Sequence, residues 1–142
     1  MNHLNIFDIL IEEHNRFRHL FKEIMSRRQK DETFEVLRKE LDIHMRGEEE
    51  YFYPVTVGAL KEKTLESIEE HHTARLLMEE LVSLTGREEV WMAKLKVLQE
   101  VVAHHLDEEE QDLFPPAKQI IGDMRQQELA DKYMQFEAVP HG

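Results

Sequence analysis

Apolar residues return every three or four positions along nearly the whole chain, the spacing that lines one face of an α-helix. No stretch keeps the strict alternation that would make a half-buried strand. The first amphipathic run spans about Ile6 to Arg28, with Leu10, His14, Phe17, Phe21 and Ile24 in its inward row. The second spans about Thr33 to Tyr53, with Phe34, Leu37, Leu41, His44, Glu48 and Tyr51 inward, and Pro54 and Gly58 mark its end. The third, from about Lys63 to Leu84, carries a weaker row of Ser67, His71, Ala74, Met78 and Leu81 before Gly86. The fourth, from about Glu88 to Leu113, presents Trp91, Leu95, Leu98, Val102, His105 and Glu109, and Pro115-Pro116 is expected to stop it. A final run from about Ala117 to Phe136 is amphipathic enough to dock on the outside. Long runs with short connections predict an all-α, up-down-up-down antiparallel four-helix bundle over about residues 4–116. An additional C-terminal helix is expected over about 117–137, with residues 1–142 forming one domain.

Composition narrows the functions open to such a bundle. Acidic residues outnumber basic ones 30 to 18, a formal charge of −12, which repels phosphate backbones and anionic lipid. No nucleic-acid or membrane partner is therefore expected. No apolar run approaches the ~18–20 residues of a spanning helix, and the start, MNHLNIFDIL, lacks a basic-then-apolar leader pattern. A cytoplasmic protein, monomer or homodimer, is the expectation. The chain has no cysteine, which excludes disulfide frameworks, thiolate-held metals and cysteine nucleophiles. Nine histidines are left to explain.

An internal duplication carries the chemistry. IEEH ending at His14 returns as IEEH ending at His71, and HMRGEEEYFYP (44–54) returns as HLDEEEQDLFP (105–115). The first and third helices are thus one type and the second and fourth the other, so the bundle has approximate two-fold symmetry. Every helix places a histidine on its inward row. The second and fourth add a glutamate one turn on, since residues four apart share a helix face. Carboxylates in a bundle core are costly unless paired or bound to a cation. His14, His44, Glu48, His71, His105 and Glu109 therefore read as a metal cage. The histidines form one layer, with Phe17, Leu41, Ala74 and Val102 as an apolar wall on one side. Leu10, Tyr51, Ser67 and Asp112 are expected beyond the glutamates.

Two bridging carboxylates imply two metals, each with two histidines, one oxygen of each glutamate and a shared oxo or hydroxo group. One position on each ion is then open. Pairing by helix type puts His14 with His44 and His71 with His105. Imidazole and carboxylate without thiolate suit iron, with manganese or zinc as alternatives.

A histidine on the first helix, His-x3-Glu on the second, a histidine on the third and His-x3-Glu on the fourth resembles the hemerythrin-like HHE cation-binding domains. The resemblance covers about residues 4–116. It implies a non-haem, oxo-bridged di-iron centre with the same six residues as ligands. Oxygen-carrying hemerythrins have a second histidine one turn after the first on the third helix, where this chain has Arg75. Glu110 stands at the spacing of their fourth-helix aspartate, although Glu109 fits the inward row better. The four-histidine, two-glutamate set is more similar to the iron-sensing, nitric-oxide-related and cluster-repair members.

Several neighbours remain open alternatives at this level. His72 can serve as a further ligand if its helix is locally rotated, and His104/Glu108 repeats the four-residue spacing in another register. Tyr51 can hydrogen-bond a bridging glutamate. Glu49 and Glu110 read as water-facing, and His3, His19 and His141 as surface residues. The expected function is binding or sensing of a small ligand such as oxygen or nitric oxide. The alternatives are a di-iron enzyme reducing peroxide or nitric oxide or oxidising iron, and an iron-handling protein for storage or cluster repair.

Overall fold

The computed structural model describes residues 4–141 and is all-helical. Four long helices form the bundle: α1 (Ile6–Arg27), α2 (Glu32–Gly47), α4 (Lys61–Ser83) and α5 (Glu89–Glu108). Two short segments, α3 (Tyr53–Thr56) and α6 (Phe114–Ile120), and a C-terminal helix, α7 (Asp123–Ala138), complete it. Around the bundle, α1 packs on α2, α2 on α4, α4 on α5 and α5 on α1. Starts and stops follow local chemistry. Asn5 accepts from the Asp8 backbone N–H while the Asp8 carboxylate reaches back to Asn5, a capping box that opens α1. Asp31 accepts from Thr33 N–H and opens α2. The Lys30 ammonium donates to the carbonyls of Leu81, Val82 and Leu84, satisfying the otherwise unpaired end of α4. Its stem lies where a Cβ on Gly86, at φ +94°, would fall, so that turn requires glycine twice over.

Two apolar clusters sandwich the polar layer. One, built on Phe17, Phe21, Ile24, Phe34, Leu37, Leu81, Trp91 and Leu95, fills the end where α1 meets α2 and α4 meets α5. The other holds Phe7, Leu10, Phe52, Tyr53, Phe114, Leu129 and Tyr133 and takes in residues from α6 and α7. The buried wall of Phe17, Leu41, Ala74 and Val102 stands where the periodicity puts it.

Two expectations are corrected. The helices do not run as uniform α-helix past the glutamates, because each opens into a π-helical turn at Glu48–Phe52 and Glu109–Leu113. There the N–H of Tyr53 bonds the carbonyl of Glu48, and that of Phe114 the carbonyl of Glu109, five residues back. Pro54 and Pro115 follow immediately, and a proline ring clashes with the carbonyl four residues before it. Widening the preceding turn relieves that clash, and the prolines then sit in the first turn of α3 and α6. The proline pair therefore redirects the fourth helix rather than stopping it. The expected single C-terminal helix is correspondingly two, α6 and α7, broken at Ile121-Gly122. Among the described residues no helix is long and apolar enough to cross a membrane.

Candidate metal centre

The six inward residues from four helices converge between the two apolar clusters. His14, His44, Glu48 and Glu109 bring one ligand-type atom each within 4.8 Å of one another, and Glu48, His71 and His105 do the same. All six side chains are buried. Glu48 stands between the halves, with Oε1 3.3 Å from His44 Nε2 and 3.0 Å from His71 Nε2. Glu109 does likewise, with Oε1 3.2 Å from His14 Nε2 and 3.4 Å from His105 Nε2. Among the described residues, four buried side-chain atoms have no hydrogen-bond partner: His14 Nε2, His44 Nε2, Glu48 Oε2 and Glu109 Oε1. Orphaned buried polar atoms are expensive, and here all four belong to the cluster of His14, His44, Glu48 and Glu109. A nitrogen and oxygen donor set of this kind fits a first-row transition metal. His72 points to solvent, and the His104 side chain is 65% exposed, so neither alternative enters the cage.

Around the cage lies a second ring of carboxylates. The Nδ1–H of each inward histidine meets one: His14 donates to Glu110 (2.7 Å), His44 to Glu13 (2.7 Å), His71 to Glu49 (2.8 Å) and His105 to Glu70 (2.7 Å). That contact fixes the tautomer, leaving Nε2 free to face inward, and makes the imidazole a better donor. Glu49 and Glu110 are thus not water-facing spectators. Arg75 clamps Glu49 through two hydrogen bonds of 2.8 Å, and Arg18 pairs with Glu110 at 3.0 Å. Burial works to raise the Glu49 pKa, but hydrogen bonds to His71 and Arg75 more than offset it and hold it at about 2. Arg75 therefore does more than replace an absent ligand. The signal lay in the duplication: Glu13-His14-x3-Arg18 and Glu70-His71-x3-Arg75 are the same phrase, as are Glu48-Glu49 and Glu109-Glu110.

The π-turns decide what lies beyond the glutamates. The added residue carries Tyr53, not Tyr51, onto the inward face. Its hydroxyl donates to Glu109 Oε2 at 2.6 Å and stands 3.2 Å from Glu48 Oε1 and 3.1 Å from His71 Nε2. Burial, then the charges of Glu109 and Glu48, push its pKa well up, so it keeps its proton. Tyr51 instead packs edge-on against Phe136 of α7. In the other half Phe114 replaces the expected Asp112, which is exposed, and stacks on His14 with ring centroids 5.7 Å apart. The two halves are alike in histidine, glutamate and supporting carboxylate, and unlike at this position.

A gap of about 10 Å³ opens over the histidine layer, lined by Leu41, Met45, Ala74, Val102 and Leu106 together with His44, His71 and His105. That is room for about one water-sized molecule. Of the remaining histidines, His19 is exposed and pairs with Glu23, and His141 bonds the Phe136 carbonyl. His3 lies outside the described residues.

The chain is similar to known proteins in sequence and in fold. Rv2633c of Mycobacterium tuberculosis and Mb2666c of Mycobacterium bovis are each 29% identical over 141 residues, covering 91% of this chain and 83% of theirs. The crystal structure of an HHE cation-binding domain-containing protein from Mycobacterium kansasii, a homologue of Rv2633c, superposes with a TM-score of 0.83 at 27% identity. That match covers 94% of this chain and 86% of the other. The family model for the hemerythrin HHE cation-binding domain matches residues 5–117, which span all four histidines and both glutamates. With the family model matching residues 5–117, most of its length, the chain belongs to the hemerythrin HHE cation-binding domain family.

Proposed function

We propose that the protein holds two iron ions with a bridging oxo or hydroxo group and uses them to bind or sense a small ligand such as oxygen or nitric oxide. His14 and His44 hold one ion, His71 and His105 the other, and Glu48 and Glu109 bridge them. The observation that carries this reading is the set of four orphaned donor atoms, with each glutamate within reach of both halves. Bridging carboxylates on a nitrogen-rich, thiolate-free site favour iron, with manganese or zinc as the competitors. Iron in such a site supplies redox chemistry and affinity for diatomic ligands. The chain itself supplies a dry, close-fitting wall of Leu41, Met45, Ala74 and Val102 that excludes bulk water and admits only small molecules.

A second reading, reduction of peroxide or nitric oxide, gains support from Tyr53. Its hydroxyl is a hydrogen-bond donor held at the cage beside both glutamates. Tyr53→Phe separates the two readings. Ligand binding unchanged with turnover lost favours the enzyme, and both unchanged favours the sensor.

The decisive experiment is metal content together with an optical spectrum, before and after azide. About two irons per chain and a charge-transfer band that moves with azide are expected. A colourless protein carrying stoichiometric zinc overturns the iron reading.

A further inference from the structure

The C-terminal helix α7 lies beyond the residues matched by the family model, yet it reaches the cage. Tyr133 on α7 is fully buried, and its hydroxyl donates to Glu13 Oε1, the oxygen that also accepts from His44 Nδ1–H. The same hydroxyl stands 3.2 Å from His44 Nδ1 itself. The approach depends on Gly47, the residue before Glu48. A Cβ at Gly47 would lie 2.4 Å from Tyr133 Cε2, so any larger residue pushes the ring away.

The duplication provides the comparison. The position equivalent to Gly47 is Glu108, and the one equivalent to Glu13 is Glu70. Glu70 accepts from His105 Nδ1–H but has no tyrosine beside it; its neighbours are His104 and the Glu108 carboxylate. Replacing Gly47 by a larger residue in the second half thus coincides with the absence of a docked helix there. A second residue of α7, Glu137, also lies beside Glu13. The Tyr133 hydroxyl holds Glu13 on His44.

We propose that Tyr133 is a positioning residue for the His14/His44 half of the centre, acting through Glu13 on His44, and that α7 is thereby a working part of the metal site. This rests on reading the six inward residues as metal ligands. Partners that orient a ligating histidine typically change metal affinity 10–100-fold when removed. Tyr133 acts one bond further out, so an effect near the lower end is expected, confined to one ion. The second half, which has no counterpart of Tyr133, is left untouched.

The test is titration of the metal-free full-length protein with Co²⁺, following the two binding steps and the ligand-field absorption of each. Tyr133→Phe keeps the ring and removes only the hydroxyl. It is expected to weaken one step about tenfold and shift that ion's absorption, leaving the other step unchanged. Gly47→Ala, which displaces the ring through its new Cβ, is expected to weaken the same step. Met134→Ala, exposed on the same helix, is expected to leave both steps as in wild type. Two wild-type steps that Tyr133→Phe leaves unmoved overturn this inference alone. Equal weakening of both steps also overturns it, because α7 would then only brace the bundle. A wild-type chain that takes up no Co²⁺ overturns the metal-centre reading itself.

Discussion

At the scale of single residues, the centre is a set of matched pairs, each histidine gripping a carboxylate on its outer nitrogen and facing a glutamate with its inner one. The two kinds of glutamate should fail differently. Glu48→Ala or Glu109→Ala removes a carboxylate that reaches both halves, so loss of at least one metal per chain is expected. Two tightly held ions in both variants would show the bridges to be misassigned. Glu49→Ala removes only the outer partner of His71, so both ions should still bind, with one weakened about 10–100-fold. Glu50→Ala, exposed beside it, should leave metal content and affinity unchanged. The inner ring was legible from the sequence because a glutamate four residues after a histidine, on a row of core leucines, has no cheap explanation but a cation. The outer ring was harder to read, since Glu49 and Glu110 sit in acidic runs that look like solvated surface. Only the crossing of neighbouring helices brings Glu49 onto His71 and Glu110 onto His14.

At the scale of elements, the π-turns and α7 do what a regular helix could not. One inserted residue exchanges Tyr51 for Tyr53 at the cage, and the prolines that follow make the insertion necessary. Helix α7 is held partly by a protonated carboxyl. Burial, then the neighbouring Glu13 carboxylate, raises the Glu137 pKa to about 8 from an ordinary 4.5. The folded state therefore keeps a proton that the unfolded chain gives up. This contribution to stability is fully present below about pH 4.5 and is lost as pH rises through about 8. Amide protection across residues 123–138 should accordingly fall between pH 7 and 9, and Glu137→Gln should abolish that fall. Protection that stays flat in wild type would show that Glu137 carries no proton there.

At the scale of the whole molecule, two apolar clusters are joined through a layer that cannot be stable as bare charge. Burial works to lower the His44 pKa, but the charge of Glu48 and the bond to Glu13 raise it to about 10, and Glu109 and Glu48 likewise raise that of His105. The metal-free core thus neutralises its glutamates with protons, and metal must displace them. Binding of Co²⁺ or Fe²⁺ at pH 7 in weak buffer should release protons. Absence of release would argue that the imidazoles are already free. The His44 contribution to metal-free stability is present below about pH 6.5 and lost as pH rises through about 10. The melting temperatures of metal-free and loaded protein should therefore diverge further as pH rises across that window. Equal melting temperatures would place the metal outside the bundle core.

Local spacing alone determined that this chain is a helical bundle with a duplicated, cation-demanding layer. Helix periodicity and a four-residue ligand spacing are properties of one helix, and the amino-acid order contains them completely. Which carboxylate supports which histidine, which tyrosine enters the cage, and how α7 touches His44 were decided only in three dimensions. Each depends on an angle between helices or on a one-residue change in helical register. A single inserted residue turns the following side chains by about 100° while leaving the pattern of apolar letters almost unchanged.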